Sequence, residues 1–147
     1  MKFKSIVQTQ FEKAGWFENR NIALNQKINN VNSLPLHLKE FLQSYGDLII
    51  EDCKSYKSEV TNTLNTNIDF LKNIENSDLP FPGTYYKIGY FYPDHYMVYT
   101  DLKGAIYLIG DGFYKMNDNF LNGIENLIED NWDTCLEWDS GARKWVK

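Results

Sequence analysis

Apolar positions change their period near residue 80. Before it they recur every three or four residues; beyond Thr84 aromatic and β-branched residues cluster in short runs. Val7, Phe11 and Ala14 predict a short first helix with Ser5 as its cap and Gly15 as the residue that ends it in a left-handed turn. Trp16 and Phe17 then fold back on its last turn. Leu24, Ile28 and Val31 suggest a second short helix. Leu38, Phe41, Leu42 and Tyr45 form the firmest helical stripe, with Ser33 read as its cap, Pro35 in its first turn and Gly46 as its stop. Asp47–Glu51 reads as a strand leaving that helix. Cys53–Asn67 is polar and weakly patterned, a strand followed by a loop, and Asn67–Ile74 reads as a short helix.

The run Leu-Pro-Phe-Pro-Gly, Leu79 to Gly83, is a breaker between the two halves. Runs of 60 to 80 residues make poor independent cores, so residues 1–147 read as one domain. Tyr85–Tyr92, Tyr96–Thr100 and Ala105–Ile109 predict an antiparallel meander, joined by turns at Tyr92–His95 and Asp101–Gly104. Gly104 suits a bulged hairpin. On strict alternation Tyr86, Ile88, Tyr90 and Tyr92 share one face, and Tyr85, Lys87 and Phe91 the other. Asp118 or Asn119 caps a last helix bearing Phe120, Leu121, Ile124, Leu127 and Ile128. The tail from Glu129 to Lys147 carries three of the four tryptophans.

Charge sharpens this picture. The net charge is −5. Residues 1–75 hold nine basic and nine acidic side chains, while residues 76–147 hold six basic and eleven acidic ones, so the whole excess is in the second half. That argues against direct nucleic-acid binding and suits a basic partner. Ile128–Asp139 concentrates it: Glu129, Asp130, Asp133, Glu137 and Asp139 surround Trp132 and Trp138 with no base among them. The run reads either as a solvated helix end whose tryptophans close the core, or as an anionic patch with aromatic anchors. Eight of the ten tyrosines lie between Tyr85 and Tyr114, and tyrosine suits both strands and interfaces. Cys53 and Cys135 fit no metal or redox spacing and are expected to be reduced thiols in a cytoplasmic chain with no signal peptide or membrane span.

Catalysis finds little to stand on. The two histidines lie far apart, His37 on the firm helix and His95 in a hairpin turn beside Asp94. No nucleophile elbow, phosphate-binding loop or zinc-binding helix motif is present. Asp101 and Asp111 flank one strand, where turn capping explains both. No enzyme, cofactor or metal is expected.

Four motifs occur in order: Phe11, Ala14, Gly15, Trp16 and Arg20; then Phe41, Leu42, Tyr45, Gly46, Leu48 and Ile50; then Ile88 and Gly89; then Tyr99, Asp101, Gly104, Ile106 and Tyr107. Together, over residues 8 to 130, they resemble the SUKH (Smi/Knr-like) superfamily, specifically its third immunity subgroup. The resemblance implies an α+β fold with helices packed on a mainly antiparallel β-sheet. It implies an immunity protein that neutralises a cognate secreted polymorphic toxin by stoichiometric binding, nucleases being frequent among such toxins. A cellular adaptor on the same fold, binding a housekeeping protein through its tyrosine-bearing sheet, is the alternative. Gly15, Trp16, Arg20, Gly46, Asp101 and Gly104 are then scaffold residues, with Arg20 paired to a carboxylate or carbonyls. The expected partner surface comprises Glu129, Asp130, Asp133, Glu137 and Asp139, with Trp132, Tyr90 and Tyr92 as anchors. Two features depart from the family pattern: Asp47, where relatives often have a second glycine, and the longer, tryptophan-rich C-terminus.

Overall fold

Eight strands follow one another in chain order across a single antiparallel sheet in the computed structural model, which describes residues 1–53, 59–73 and 79–147. They are β1 (Ile49–Cys53), β2 (Asn62–Asn65), β3 (Tyr85–Tyr92), β4 (Tyr96–Asp101), β5 (Ile106–Ile109), β6 (Phe113–Asn117), β7 (Leu136–Asp139) and β8 (Lys144–Val146). The helices α1 (Ser5–Lys13) and α2 (Leu36–Tyr45) precede the sheet, and α3 (Phe120–Ile128) interrupts it between β6 and β7. The molecule is therefore α+β, as the pattern of periods implies. Of the expected strand and loop over Cys53–Asn67, residues 54–58 lie outside the described residues; so does Ile74, the end of the expected helix. Within that last stretch Ile68–Asn73 forms a 3-10 helix.

The helices share one face of the sheet. Val7 and Phe11 of α1, Leu38, Phe41, Leu42 and Tyr45 of α2, and Phe120, Ile124, Leu127 and Ile128 of α3 are all buried. They pack in one cluster with Ile50, Leu64, Ile88, Phe91, Val98, Ile106, Leu108 and Met116 from the strands. Asn119 caps α3 by accepting a hydrogen bond from the Asn122 N–H at 3.0 Å. Two expected caps are corrected. Ser5 is already inside α1, whose N-cap is Lys4, and Ser33 closes a 3-10 turn while Pro35 is the residue before α2. The expected second helix is two such turns, Leu24–Gln26 and Val31–Ser33, with Leu24 buried and Ile28 and Val31 packed against the core.

The opening motif closes α1 onto α2. Gly15 has φ +115°, a conformation that favours glycine, and the Trp16 N–H returns to the Phe11 carbonyl at 2.9 Å. The Trp16 ring lies nearly parallel to Tyr45, with centroids 5.7 Å apart, and its Nε1 donates to Ser44 Oγ. Arg20 donates from Nη1 to the Ser44 carbonyl at 2.8 Å, so it ties the same turn to the end of α2.

At the end of α2 the stop differs from the expectation. Gly46 is extended, at φ −70°, and Asp47 takes the left-handed conformation at φ 56°. Gly46 is required for space instead: a Cβ there would lie 2.5 Å from the Leu42 carbonyl oxygen and 3.0 Å from Ile68 Cδ1. Asp47 repays its backbone strain by accepting from the Ile68 N–H and from Lys27, each at 2.8 Å. The Asp101–Gly104 turn follows the expected pattern. Gly104 has φ +100°, and Asp101 Oδ1 accepts from the N–H groups of Lys103, Gly104 and Ala105, while Oδ2 accepts from the Tyr107 hydroxyl at 2.8 Å. Lys4 pairs with Glu129 and fastens the start of the chain to the end of α3.

Strict alternation fails in β3. The pairing with β4 slips between Lys87 and Gly89, a bulge at Ile88 that gives β3 one extra residue. Phe91 consequently joins Ile88 on the helix side, and Tyr90 and Tyr92 move to the other face with Lys87. The tail adds two strands that the hydrophobic pattern did not announce, β7 and β8, paired through Trp138 and Trp145.

Two substitutions test this geometry. Gly46→Ala should cost about 1–3 kcal/mol in urea unfolding, because the new methyl has no room beside Leu42 and Ile68. Burial opposes the Asp47 charge, but the Ile68 N–H and Lys27 outweigh it, so its pKa lies below the ordinary carboxylate value. A carboxylate with a depressed folded pKa stabilises above its unfolded pKa, and that contribution is lost as pH falls through the folded value. Asp47→Asn should therefore lower stability at neutral pH, and the deficit should shrink as pH falls below about 4. A deficit independent of pH would contradict this.

Candidate functional site

The face of the sheet away from the helices is only partly covered. At one end a second cluster forms, in which Phe81 sits among Tyr85, Tyr107, Phe113, Trp138 and Trp145, with ring centroids 4.9–6.1 Å from its own. The breaker Leu79–Gly83 is thus a strap that inserts one aromatic ring, rather than a linker. Trp138 and Trp145 complete the pocket for that ring.

Running out from this cluster, against which Ile109 and Phe113 pack, successive cross-strand partners place Ile49, Asn65, Tyr90, Met97, Ile109 and Phe113 in one row over six strands. Ile49 is exposed and the other five are half-buried. Tyr92, next along β3, stacks on Tyr90 with centroids 5.4 Å apart. Tyr90 also meets His95 of the neighbouring hairpin, with its hydroxyl 2.5 Å from Nδ1. The lysines of this face, Lys87 and Lys115, hold their ammonium groups over the Phe70 and Trp145 rings, at 5.2 and 5.3 Å from the centroids.

The expected partner residues do not meet on one surface. Tyr90 and Tyr92 lie on the open face, whereas Trp132 packs on the helix side against Tyr96 and Tyr114, at 5.6 and 5.7 Å between centroids. Trp132 Nε1 donates to Asp130, which is itself left-handed at φ 49° and closes the turn after α3. Glu129 is paired with Lys4, and Asp139 caps the β7–β8 turn by accepting from the N–H groups of Gly141 and Ala142. Asp133 and Glu137 are exposed. The acidic run thus divides: Glu129, Asp130 and Asp139 hold local structure, and Asp133 and Glu137 face water.

The candidates for chemistry are held in structural contacts. His37 is half-buried against Phe120, its Nε2 lies 3.2 Å from the Thr100 hydroxyl, and burial lowers its pKa. Asp94 accepts from the Asn62 amide at 2.9 Å. Asp111 accepts from the Tyr96 hydroxyl, and burial with that carboxylate raises the Tyr96 pKa. Burial likewise pushes the Cys53 thiol up to about 12 and the Cys135 thiol to about 11, which keeps both protonated and poorly nucleophilic at neutral pH. Among the described residues no group of three or more His, Cys, Asp or Glu side chains could hold a metal, and no helix is long and apolar enough to cross a membrane. Among the described residues, open depressions include one in the asparagine-rich loop from Asn25 to Ser33 and one between Lys27, Asp47, Ile49 and Asn65.

Sequence reasoning missed Met97, Ile109 and Phe113 as neighbours of Tyr90. The register that joins them depends on the bulge at Ile88, for which Gly89 was the one local signal. A stability measurement separates the two roles within the tail. Trp132→Ala should cost about 2 kcal/mol, below the ~3–5 of a fully buried ring. The exposed reversals Asp133→Lys and Glu137→Lys should each stay within about 0.5 kcal/mol. Equal losses for the ring and the charges would show that this packing is misassigned.

No family model matches this chain, and no curated protein or solved structure matches it either.

Proposed function

We propose that this chain is an immunity protein of the SUKH type, which binds a toxin domain in the cytoplasm of the producing cell and neutralises it stoichiometrically, without a cofactor and without catalysis of its own. The observation that carries this reading is the row of half-exposed Tyr90, Met97, Ile109 and Phe113 on the helix-free face of the sheet. A broad strip of tyrosine, methionine and phenylalanine offers contact area to a macromolecule, and such residues are enriched in the centres of protein interfaces. Ligand-sized sites are concave instead.

The ordered motifs support the same reading. Phe11, Trp16, Arg20 and Tyr45, separated in the sequence, converge on the junction of α1 with α2. The net charge of −5 favours association with a basic partner such as a nuclease domain, whose own groove must attract phosphate.

Co-expression is the direct test. The toxin domain encoded beside this gene should kill or arrest a host when produced alone, and this protein should restore growth and co-purify with it in a fixed stoichiometry. Continued killing despite soluble, folded protein would overturn the proposal. A neighbourhood with no secreted toxin, together with a housekeeping protein bound by the same face, would favour the adaptor instead.

A further inference from the structure

The Phe81 cluster joins two parts of the molecule that share little else. Among the described residues, the helix-side core takes no member from the strap Leu79–Gly83 or from β7 and β8. Within those two strands Leu136, Trp138, Trp145 and Val146 are half-buried and the other residues are exposed. β7 keeps register with β6 at two pairs, Tyr114 with Glu137 and Lys115 with Leu136, whereas β3 and β4 pair at six positions. A two-stranded hairpin is marginal by itself, so this one stays ordered through what it packs against.

The strap is tied as lightly. Pro80 and Pro82 have no N–H to donate, and no backbone group from Leu79 to Gly83 bonds to another backbone group among the described residues. Gly83, at φ +139°, turns the chain toward β3. The strap is held by Leu79 and Phe81 in the aromatic cluster and by the Tyr85 hydroxyl, which donates to the Pro82 carbonyl at 2.7 Å.

The Phe81 ring is 5% exposed, and both parts share it. From the body of the sheet it meets Tyr85, Tyr107 and Phe113. From the hairpin it meets Trp138 and Trp145, with centroids 5.5 and 4.9 Å from its own. Tyr107 and the Lys115 ammonium also touch the Trp145 ring, and Lys147 donates to the Asp133 carbonyl of the same tail. A single side chain from a loosely tied strap thus supplies much of what holds the last hairpin down.

We propose that Phe81 is a latch: its ring closes the strap and the β7–β8 hairpin onto the sheet as one unit, and that unit opens while the helix-packed core stays folded. Units with few buried contacts open at lower free energy than the whole molecule. Opening makes β6 the edge of the sheet and uncovers Tyr107 and Phe113 at the end of the row that runs to Tyr90. The closed latch therefore sets where the open face ends in the free chain. The inference concerns the fold itself and holds whether or not the partner is a toxin.

Native-state hydrogen exchange on the full wild-type chain, in low concentrations of urea, is the first measurement. Amides that pair β7 with β6 and with β8 should be protected at least ~100-fold less than those pairing β4 with β5, and should depend weakly on urea, as an opening that exposes little surface does. Phe81→Ala should lower the protection of the hairpin by a further ~100-fold or more, since it removes a buried ring. In the same variant the circular-dichroism signal of the Trp138–Trp145 pair should collapse, while methyl resonances of Val98, Leu108 and Leu127 in the helix-side core keep their folded positions.

Equal protection of the hairpin and of the β4–β5 pairing in the wild type, with one shared urea dependence, would show a single cooperative unit and overturn the proposal. That result depends on no variant folding. Loss of the Val98 and Leu108 signals together with the hairpin in Phe81→Ala would overturn it too. So would a variant whose tryptophan pair and hairpin amides keep wild-type behaviour, because the hairpin would then be held without the ring.

Discussion

Tyr45 is where the fold is tied together. It is the last residue of α2, and its side chain is fully buried. Phe3, Phe11, Trp16 and Phe41 surround its ring at 4.5–5.7 Å between centroids. Its hydroxyl donates to Gln8 Oε1 at 3.1 Å, and its carbonyl accepts from the Thr66 hydroxyl at 2.7 Å. One residue therefore joins α1, the turn after it, α2 and the end of β2. The Thr66 N–H and hydroxyl then engage Leu48, so the packing of the helices and the pairing of β1 with β2 are mechanically one system.

From that junction follows the division of labour between the faces of the sheet. The helices are gathered on one side, and the short connections from β3 to β6 leave no helix to cross to the other. The second face receives only the Phe81 strap and the rings of the last hairpin. Part of it is packed by that device, which also touches Ile109 and Phe113, and the rest of the row, from Ile49 to Met97, is less covered. Exposed apolar residues are ordinary when scattered, but a row in register over six strands is a feature of the topology. The bulge at Ile88 decides which residues form it, because without the extra residue Tyr90 and Tyr92 would point at the helices.

Much of this was legible in the residues. The stripe Leu38, Phe41, Leu42 and Tyr45 is buried as its spacing required, and the strands of the central meander lie where aromatic and β-branched runs placed them. The glycine at 15 and the aspartate at 101 act as local chemistry suggested. What escaped depended on contacts remote in sequence. Gly46 was read as a left-handed stop, yet its need is for space beside Ile68, twenty-two residues later, and Asp47 carries the turn. Leu136–Asp139 and Lys144–Val146 each alternate around a tryptophan, but such short strands become strands only against β6 and Phe81. The acidic tail looked like one patch because its charges are contiguous in sequence. In space Lys4, the Trp132 indole and a turn each take one of them.

One face of this sheet is packed by helices, and the other is covered only in part. Relaxation of side-chain methyl signals by a neutral, soluble paramagnetic agent measures it residue by residue in the free protein. Along β4 and β5 the two faces alternate, so the comparison is internal: Met97 and Ile109 belong to the open row, and Val98 and Leu108 to the helix-packed core. Strong relaxation is expected at Met97 and Ile49, an intermediate effect at Ile109, which packs against the Phe81 cluster, and little at Val98 and Leu108. Protection of Met97 and Ile49 equal to that of Val98 and Leu108 would contradict it, because the face would then be covered in the free chain and could not receive a partner.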